Sequence, residues 1–331
     1  MEGSPSHQPG DVIWLLSRHK TKMTPRALRK LARKGRHFEL TWRYLFNLQP
    51  TLSYKFSDRS VEGEAARVLK ALNREGVAMT SAEALLGPGS CYHELCSTVE
   101  DLQATLAAEI IKAQTSADEA GAVGEKKFIL EYLGRNPRFD SGSVYARFAL
   151  QRNILGIANA YLGMRSRLRY YNVWHTLPTK RDPRESQLWH RDREDYLIVK
   201  VFLYLCDVGD GAGPFTYAPS THPKGNFRSE AAYSLEGNVR RSTDDQMADV
   251  ISPQKWFKGV GPKGTIIFAD TRGYHRGGLA REQARVMYTA MFTSQASESE
   301  EFMRDGPAAG FLLDSDQAFA VSRTNPRDNG N

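Results

Sequence analysis

The stretch "WHRDREDYLIVKVFLYLCDV", residues 189–208, sets a histidine and three carboxylates ahead of an almost unbroken apolar run, with one cation, Lys200, in its middle. A short apolar run bounded by polar punctuation reads as a buried strand. Side chains alternate along a strand, so residues 196–205 divide into two faces. Leu197, Val199, Val201, Leu203 and Leu205 form an aliphatic face suited to packing on another layer. Tyr196, Ile198, Lys200, Phe202 and Tyr204 form a largely aromatic face that reads as a cavity wall. An unpaired ammonium on such a wall would cost several kcal/mol, so Lys200 needs an anion.

The surrounding texture sets the architecture. From about residue 165, short apolar stretches alternate with Gly, Pro and Asp: "RLRYYNVWHTL", "GPFTYAPS", "GTIIFAD" and "ARVMYTAMFTS". Short strands in succession suggest a β barrel or sandwich. Before them, 61–76, 93–114 and 143–163 show helical periodicity, with "VAMTS" (77–81) reading as a strand. A polar segment at 223–256 reads as an excursion or lid. The expected organisation is a basic extension over 1–55 and one domain over 56–325. That domain is mainly helical to 164, with a β core over 165–295.

His-x-Asp at a strand end presents His190 and Asp192 on one side of the backbone. A second, distant histidine would complete two imidazoles and one carboxylate, the set that holds ferrous iron with positions left open. His275, in "GTIIFADTRGYHRGG", stands in the loop after a buried strand, among glycines that let the backbone approach closely. Arg285 opens the last strand, where its planar fork can pair with a carboxylate of a bound acid. Arg281 competes for that role from a polar loop. Arg191, Arg193, Glu194 and Asp195 are expected as rim charges, and His222 as a turn residue.

From about residue 60 to 295 the chain resembles the phytanoyl-CoA dioxygenase-like branch of the Fe(II)/2-oxoglutarate-dependent oxygenases. The resemblance is carried by "WHRD" (189–192), "GAGPFTYAPSTHPKG" (211–225) and "HRGGLAREQAR" (275–285). Ser220 departs from the pattern, standing where the family's turn commonly has glycine. The resemblance implies an α+β fold with a mainly β core, a double-stranded β-helix (jelly roll, cupin-like) with N-terminal helices packed on one side. It implies iron on His190, Asp192 and His275, 2-oxoglutarate on the iron with its distal carboxylate on Arg285, and O2 as oxidant. Tyr171 and Asn172 lie where related enzymes place a polar contact to 2-oxoglutarate; only one of them can face inward. Lys200 is expected to help Arg285 hold the co-substrate or to bind an acidic group of the substrate. Related halogenases lack the carboxylate ligand, so Asp192 points to hydroxylation, desaturation or ring closure.

Charge and composition narrow the partners. The net charge is +7, and residues 18–43 carry ten Lys/Arg against one acid, Glu39. This segment, with an amphipathic helix expected over 24–35, is read as a basic arm folded on the domain, with peripheral contact to an anionic membrane as the alternative. Lys180, Arg181, Arg184, Arg240 and Arg241 favour a small anionic or carrier-linked substrate. A nucleic-acid demethylase is disfavoured, because "REQAR" lacks the paired arginines of the repair enzymes. The other alternative is a barrel that binds a ligand or polyanion without catalysis. Three cysteines make no disulfide framework, "CYHELC" (91–96) fits a zinc site poorly, and no secretory signal pattern opens the chain, so a cytoplasmic protein is expected.

Overall fold

The computed structural model describes Gly35 and residues 38–57, 60–119, 125–135, 137, 139–298 and 313–322 of the 331-residue chain. The basic helix expected over 24–35 lies outside the described residues, apart from Gly35. No helix among the described residues is long and apolar enough to cross a membrane.

The helices of six residues or more are α1 (Leu48–Lys55), α2 (Gly63–Glu75), α3 (Tyr92–Thr105), α4 (Ala107–Ser116), α5 (Val144–Ala149), α6 (Arg152–Leu162) and α7 (Ser315–Val321), with shorter helices and turns elsewhere among the described residues. Two of the expected helices are divided. The 93–114 segment breaks at Leu106, and 143–163 breaks at Gln151, whose ψ of 139° interrupts the hydrogen-bond ladder. Neither break falls on glycine or proline, so the sequence carries no punctuation there.

The strands are β1 (Val77–Ser81), β2 (Ile129–Glu131), β3 (Arg167–Thr176), β4 (Val199–Tyr204), β5 (Thr216–Tyr217), β6 (Ser234–Glu236), β7 (Val239–Arg241), β8 (Phe257–Lys258), β9 (Thr265–Asp270), β10 (His275–Arg276) and β11 (Arg285–Thr293). Six form one antiparallel sheet in the order β1-β9-β4-β11-β3-β2. A second antiparallel sheet has the order β10-β5-β8, and β6 pairs with β7 in a hairpin. The sheets are separate ladders among the described residues, not one closed barrel.

Alternation places the layers. Val199, Val201 and Leu203 of β4, Ile266 and Phe268 of β9 and Tyr288 of β11 join Val68, Leu72, Ile154 and Ile157 of the helices in the main core. Phe202, Tyr204, Ile267 and Met287 face the other way and meet Phe215 and Tyr217 of the second-sheet region. Helices therefore cover one face of the large sheet, and the small sheet covers part of the other. The two faces expected for 196–205 are seen within the strand. Tyr196, ahead of it, packs with the helical side, because the extended strand begins only at Val199.

The described part of the segment 1–55 is seated on this core. Trp42 is fully buried, its ring 5.2 Å from Tyr196. Its Nε1 donates to Asp195 Oδ1 at 2.6 Å. Asp195 also accepts the Tyr196 and Ser294 N–H groups at 2.8 and 2.7 Å. The expectation of a rim charge at Asp195 is thus corrected: three buried donors need an acceptor there.

At the end of β9, the buried Asp270 carboxylate gathers the elements that shape the metal loop. It accepts from Tyr161 (2.6 Å), from the Arg272 N–H (3.0 Å) and from the Ile198 N–H (3.3 Å). Burial lifts its carboxyl to about 6, although those hydrogen bonds lower it. A raised folded-state value means the folded protein binds this proton more tightly than the unfolded chain. Stability is therefore lost as pH rises from about 4 to about 6, by ~3 kcal/mol. Asp270→Asn keeps the shape without the charge. Urea unfolding between pH 4 and 7 should show the variant gaining on wild type by ~3 kcal/mol as pH rises; a pH-independent offset would contradict this.

Candidate metal and co-substrate site

His190 and His275, far apart in the chain, meet because their backbones form an isolated antiparallel bridge. Each N–H donates to the other's carbonyl, at 2.9 and 3.0 Å. Asp192 is pinned two residues on by its own N–H to Thr271 O at 2.9 Å. The imidazole rings lie 4.3 Å apart. In each ring Nδ1 sits on a nearby backbone carbonyl, Leu188 O at 2.9 Å and Gly273 O at 3.0 Å. That contact makes Nδ1 the protonated nitrogen and leaves the Nε2 lone pair for a ligand. The Nε2 atoms stand 4.0 and 3.9 Å from the Asp192 oxygens, and one donor atom from each of the three residues lies within 4.8 Å of the others.

The electrostatics suit a cation. Burial, with the charge of His275 adding to it, pushes His190 well below the ordinary imidazole range. Burial likewise takes His275 down to about 4, with Lys200 acting in the same direction. Both rings are therefore neutral near pH 7, the form that ligates. Burial alone would raise Asp192, but the Lys200 ammonium, followed by the two imidazoles, holds it well below the carboxylate range. Burial would lower Lys200, and Asp192 foremost keeps it charged. Lys200 Nζ lies 2.7 Å from Asp192 Oδ2. This is a close, buried ion pair. The anion that Lys200 requires is, in this structure, a member of the candidate metal-ligating set itself.

All three residues line a cavity of about 720 Å³. Arg285 lines it too, buried at the start of β11 and opposite Thr176 of β3. Its Nη1 donates to Gly213 O, and its Nη2 to Gly277 O at 2.7 Å and Thr176 Oγ1 at 3.3 Å. Three of the five guanidinium donors are thereby committed, and Nε has no acceptor. The carbonyls reach the guanidinium because Gly213 (φ +65°) and Gly278 (φ +63°) turn back to back. A Cβ on Gly278 would stand 2.3 Å from Gly213 O.

The remaining expected residues are distributed as follows. Asn172 faces the cavity, but its amide is spent on local backbone: Oδ1 accepts from Val173 N and Leu133 N, and Nδ2 donates to Gly134 O at 2.9 Å. Tyr171 stacks on Tyr145 at 6.3 Å in the helix-side core and also contributes to the cavity lining. Arg281 ties its loop to the one after β3, donating to Thr179 O and Arg181 O at 2.7 and 2.9 Å. His222 is a buried turn residue whose Nε2 meets Asn73 O at 3.1 Å. Ser220 takes the left-handed conformation (φ 65°) that glycine would adopt, so the turn keeps its form. Arg191, Arg193 and Glu194 line the cavity. Tyr170, Trp174 and Thr176 share the inward face of β3 with Asn172, and alternation from Asn172 carries their signal in the sequence. Lys126 lies in a loop without periodicity, where the sequence carries no such signal.

No family model matches the chain, and no curated protein matches it. Solved structures do. EctD from S. alaskensis with bound Fe is 15% identical, with a TM-score of 0.50 over 84% of this chain and 90% of that one. AviO1 from Streptomyces viridochromogenes Tue57 is 15% identical, with a TM-score of 0.44, covering 72% of this chain and 98% of that chain. The epimerase SnoN, in complex with Fe3+, alpha ketoglutarate and nogalamycin RO, is 14% identical, with a TM-score of 0.43 over 75% of this chain and 92% of that chain. The likeness to EctD shows a shared fold.

Replacing Lys200 with methionine would leave the Asp192 charge buried without its partner. Metal-free Lys200→Met should lose ~3–5 kcal/mol. Zinc, added as an alternative counter-charge, should raise the variant's Tm more than that of wild type. Equal zinc-induced gains in thermal unfolding would show that Lys200 and the metal do not share Asp192.

Proposed function

We propose that this chain is an Fe(II)/2-oxoglutarate-dependent dioxygenase built on a double-stranded β-helix. It hydroxylates a small organic substrate, or desaturates or cyclises one by the same oxidation. The observation that carries the reading is the convergence of two neutral imidazoles and an ionised carboxylate on one wall of a cavity that also holds a part-uncommitted arginine. The donor set fits ferrous iron, since three protein ligands on one side leave the other positions open. The motifs around His190, Pro214 and His275 favour the phytanoyl-CoA dioxygenase-like branch.

When bound, iron supplies the oxidising chemistry, driven by O2 and by conversion of 2-oxoglutarate to succinate and CO2. The chain's own residues position and shield. Arg285 has donors left for the distal carboxylate of 2-oxoglutarate. Thr176, whose oxygen accepts from Arg285, keeps its hydroxyl proton to donate to the same carboxylate. Lys200 supplies a further cation to the co-substrate once the metal takes the Asp192 oxygen it now faces. Tyr170, Trp174, Phe202 and Phe215 line the cavity with aromatic surface that excludes water and orients an apolar substrate.

Anaerobic titration with Fe(II) and 2-oxoglutarate tests this directly, read by the visible charge-transfer band of a chelated 2-oxo acid. Wild type should develop the band and His275→Ala should lose it. Arg285→Ala should weaken 2-oxoglutarate binding by about 10–100-fold, the scale of one or two charge-assisted hydrogen bonds. Folded wild-type protein that shows no band would sink the reading.

A further inference from the structure

The cavity is larger than the co-substrate requires. At about 720 Å³ it falls in the range of sites for drug-sized ligands, and its walls carry seven Lys and Arg against four Asp and Glu. A bound divalent ion would engage Asp192, so the loaded site has still more positive charge to balance. Arg285 and Lys200 have partners or roles already. Lys126 has none.

Lys126 precedes β2, in a loop that borders the cavity. Burial depresses its ammonium, and Lys200 and Arg241 depress it further, outranking the opposing pull of Glu185 and Asp192. Its side chain makes no ion pair or hydrogen bond among the described residues; Glu131, also lining the cavity, feels its charge without contacting it. A half-buried ammonium crowded by other cations is favoured by an anion beside it.

Arg241 reaches the same cavity from the excursion, at the end of β7. Its side chain is only 7% exposed, and its two carboxylate neighbours are distant: Glu236 Oε2 lies 3.5 Å from Nε, and Glu185 Oε2 lies 3.8 Å from Nη2. Both contacts are long for charge-assisted hydrogen bonds. Glu236 Oε2 is instead committed to the Glu185 N–H at 3.0 Å. Nε and Nη1 of Arg241 are left buried without an acceptor. Two cations from unconnected elements, each short of hydrogen-bond partners, thus border one cavity beside the aromatic surface of Tyr170, Trp174 and Phe202.

We propose that Lys126 and Arg241 form an anion subsite in this cavity, and that the substrate is an acid, a carboxylate or phosphate monoester, whose apolar body lies along Tyr170, Trp174 and Phe202. The word substrate rests on the dioxygenase reading; the anion subsite itself does not. Charge selects the acid and the aromatic wall selects its body. The excursion that carries Arg241 is held to the domain through Glu185, so bound acid also braces the hairpin over the cavity.

Isothermal titration calorimetry tests this with phenyl phosphate and benzoate as probes and benzylamine and benzyl alcohol as controls. It is run on the protein as isolated and on protein loaded with Zn(II) and the inert co-substrate analogue N-oxalylglycine. At least one anion should bind wild type, and benzylamine should not. Lys126→Gln should weaken the anion at least tenfold, Lys126→Arg should retain it, and Arg241→Gln should weaken it if that variant folds. Which anion binds more tightly separates a carboxylate from a phosphate. Binding of neither anion, or equal binding to wild type and Lys126→Gln, would overturn the subsite. Failure of Zn(II) and N-oxalylglycine to bind while the anions still do would count against the dioxygenase reading and leave the subsite standing.

Discussion

Burying an ammonium beside the middle of a sheet is the constraint around which the rest of this molecule is arranged. Lys200 lies on β4, between β9 and β11, and faces Asp192 at 2.7 Å. Neither charge could be kept there alone. Asp192 must therefore be delivered to β4 by a loop held rigidly enough to stay. The His190–His275 bridge and the Asp192 N–H to Thr271 provide that, with Asp270 securing the far side through Ile198, Arg272 and Tyr161. The network that satisfies a buried lysine is the one that assembles the three candidate metal ligands.

Neighbouring acids in this region have opposite fates for identifiable reasons. Asp192 is as buried as Asp270, yet the adjacent Lys200 ammonium holds it ionised. Asp270 and Asp195 have only neutral donors directly on them, and burial raises both. Tertiary placement therefore separates a carboxylate ready to ligate a cation from two that organise backbone and the Trp42 indole. The same placement keeps both histidines neutral, because desolvation disfavours imidazolium more strongly than Asp192 favours it.

Much of this was legible in the chain. Period-two alternation in 199–205 separated the helix-facing side from the opposite side, with Tyr196 the exception ahead of the strand, because a strand half-buried against helices cannot swap faces without exposing its aliphatic residues. His190-x-Asp192 and His275 were legible as a set through residue type and the strand-loop order around them. Less could be read where packing decided. Tyr171 and Asn172 are adjacent and both polar, so the sequence could not say which faces inward, nor that backbone at 133–134 would consume the Asn172 amide. Asp195 reads as a surface acid beside other charges; only the arrival of Trp42 from far upstream makes it a buried acceptor.

The sequence by itself determined the strand and helix pattern, the residue types of the site, and the need of Lys200 for an anion, because these follow from local periodicity and from the cost of burying charge. Only the tertiary structure decided that the anion is Asp192, that Thr176 stands beside Arg285, and that Lys126 and Arg241 border one cavity. Those are pairings between residues distant in the chain. Cross-strand register and loop closure set them, and neither is encoded in any single stretch of sequence.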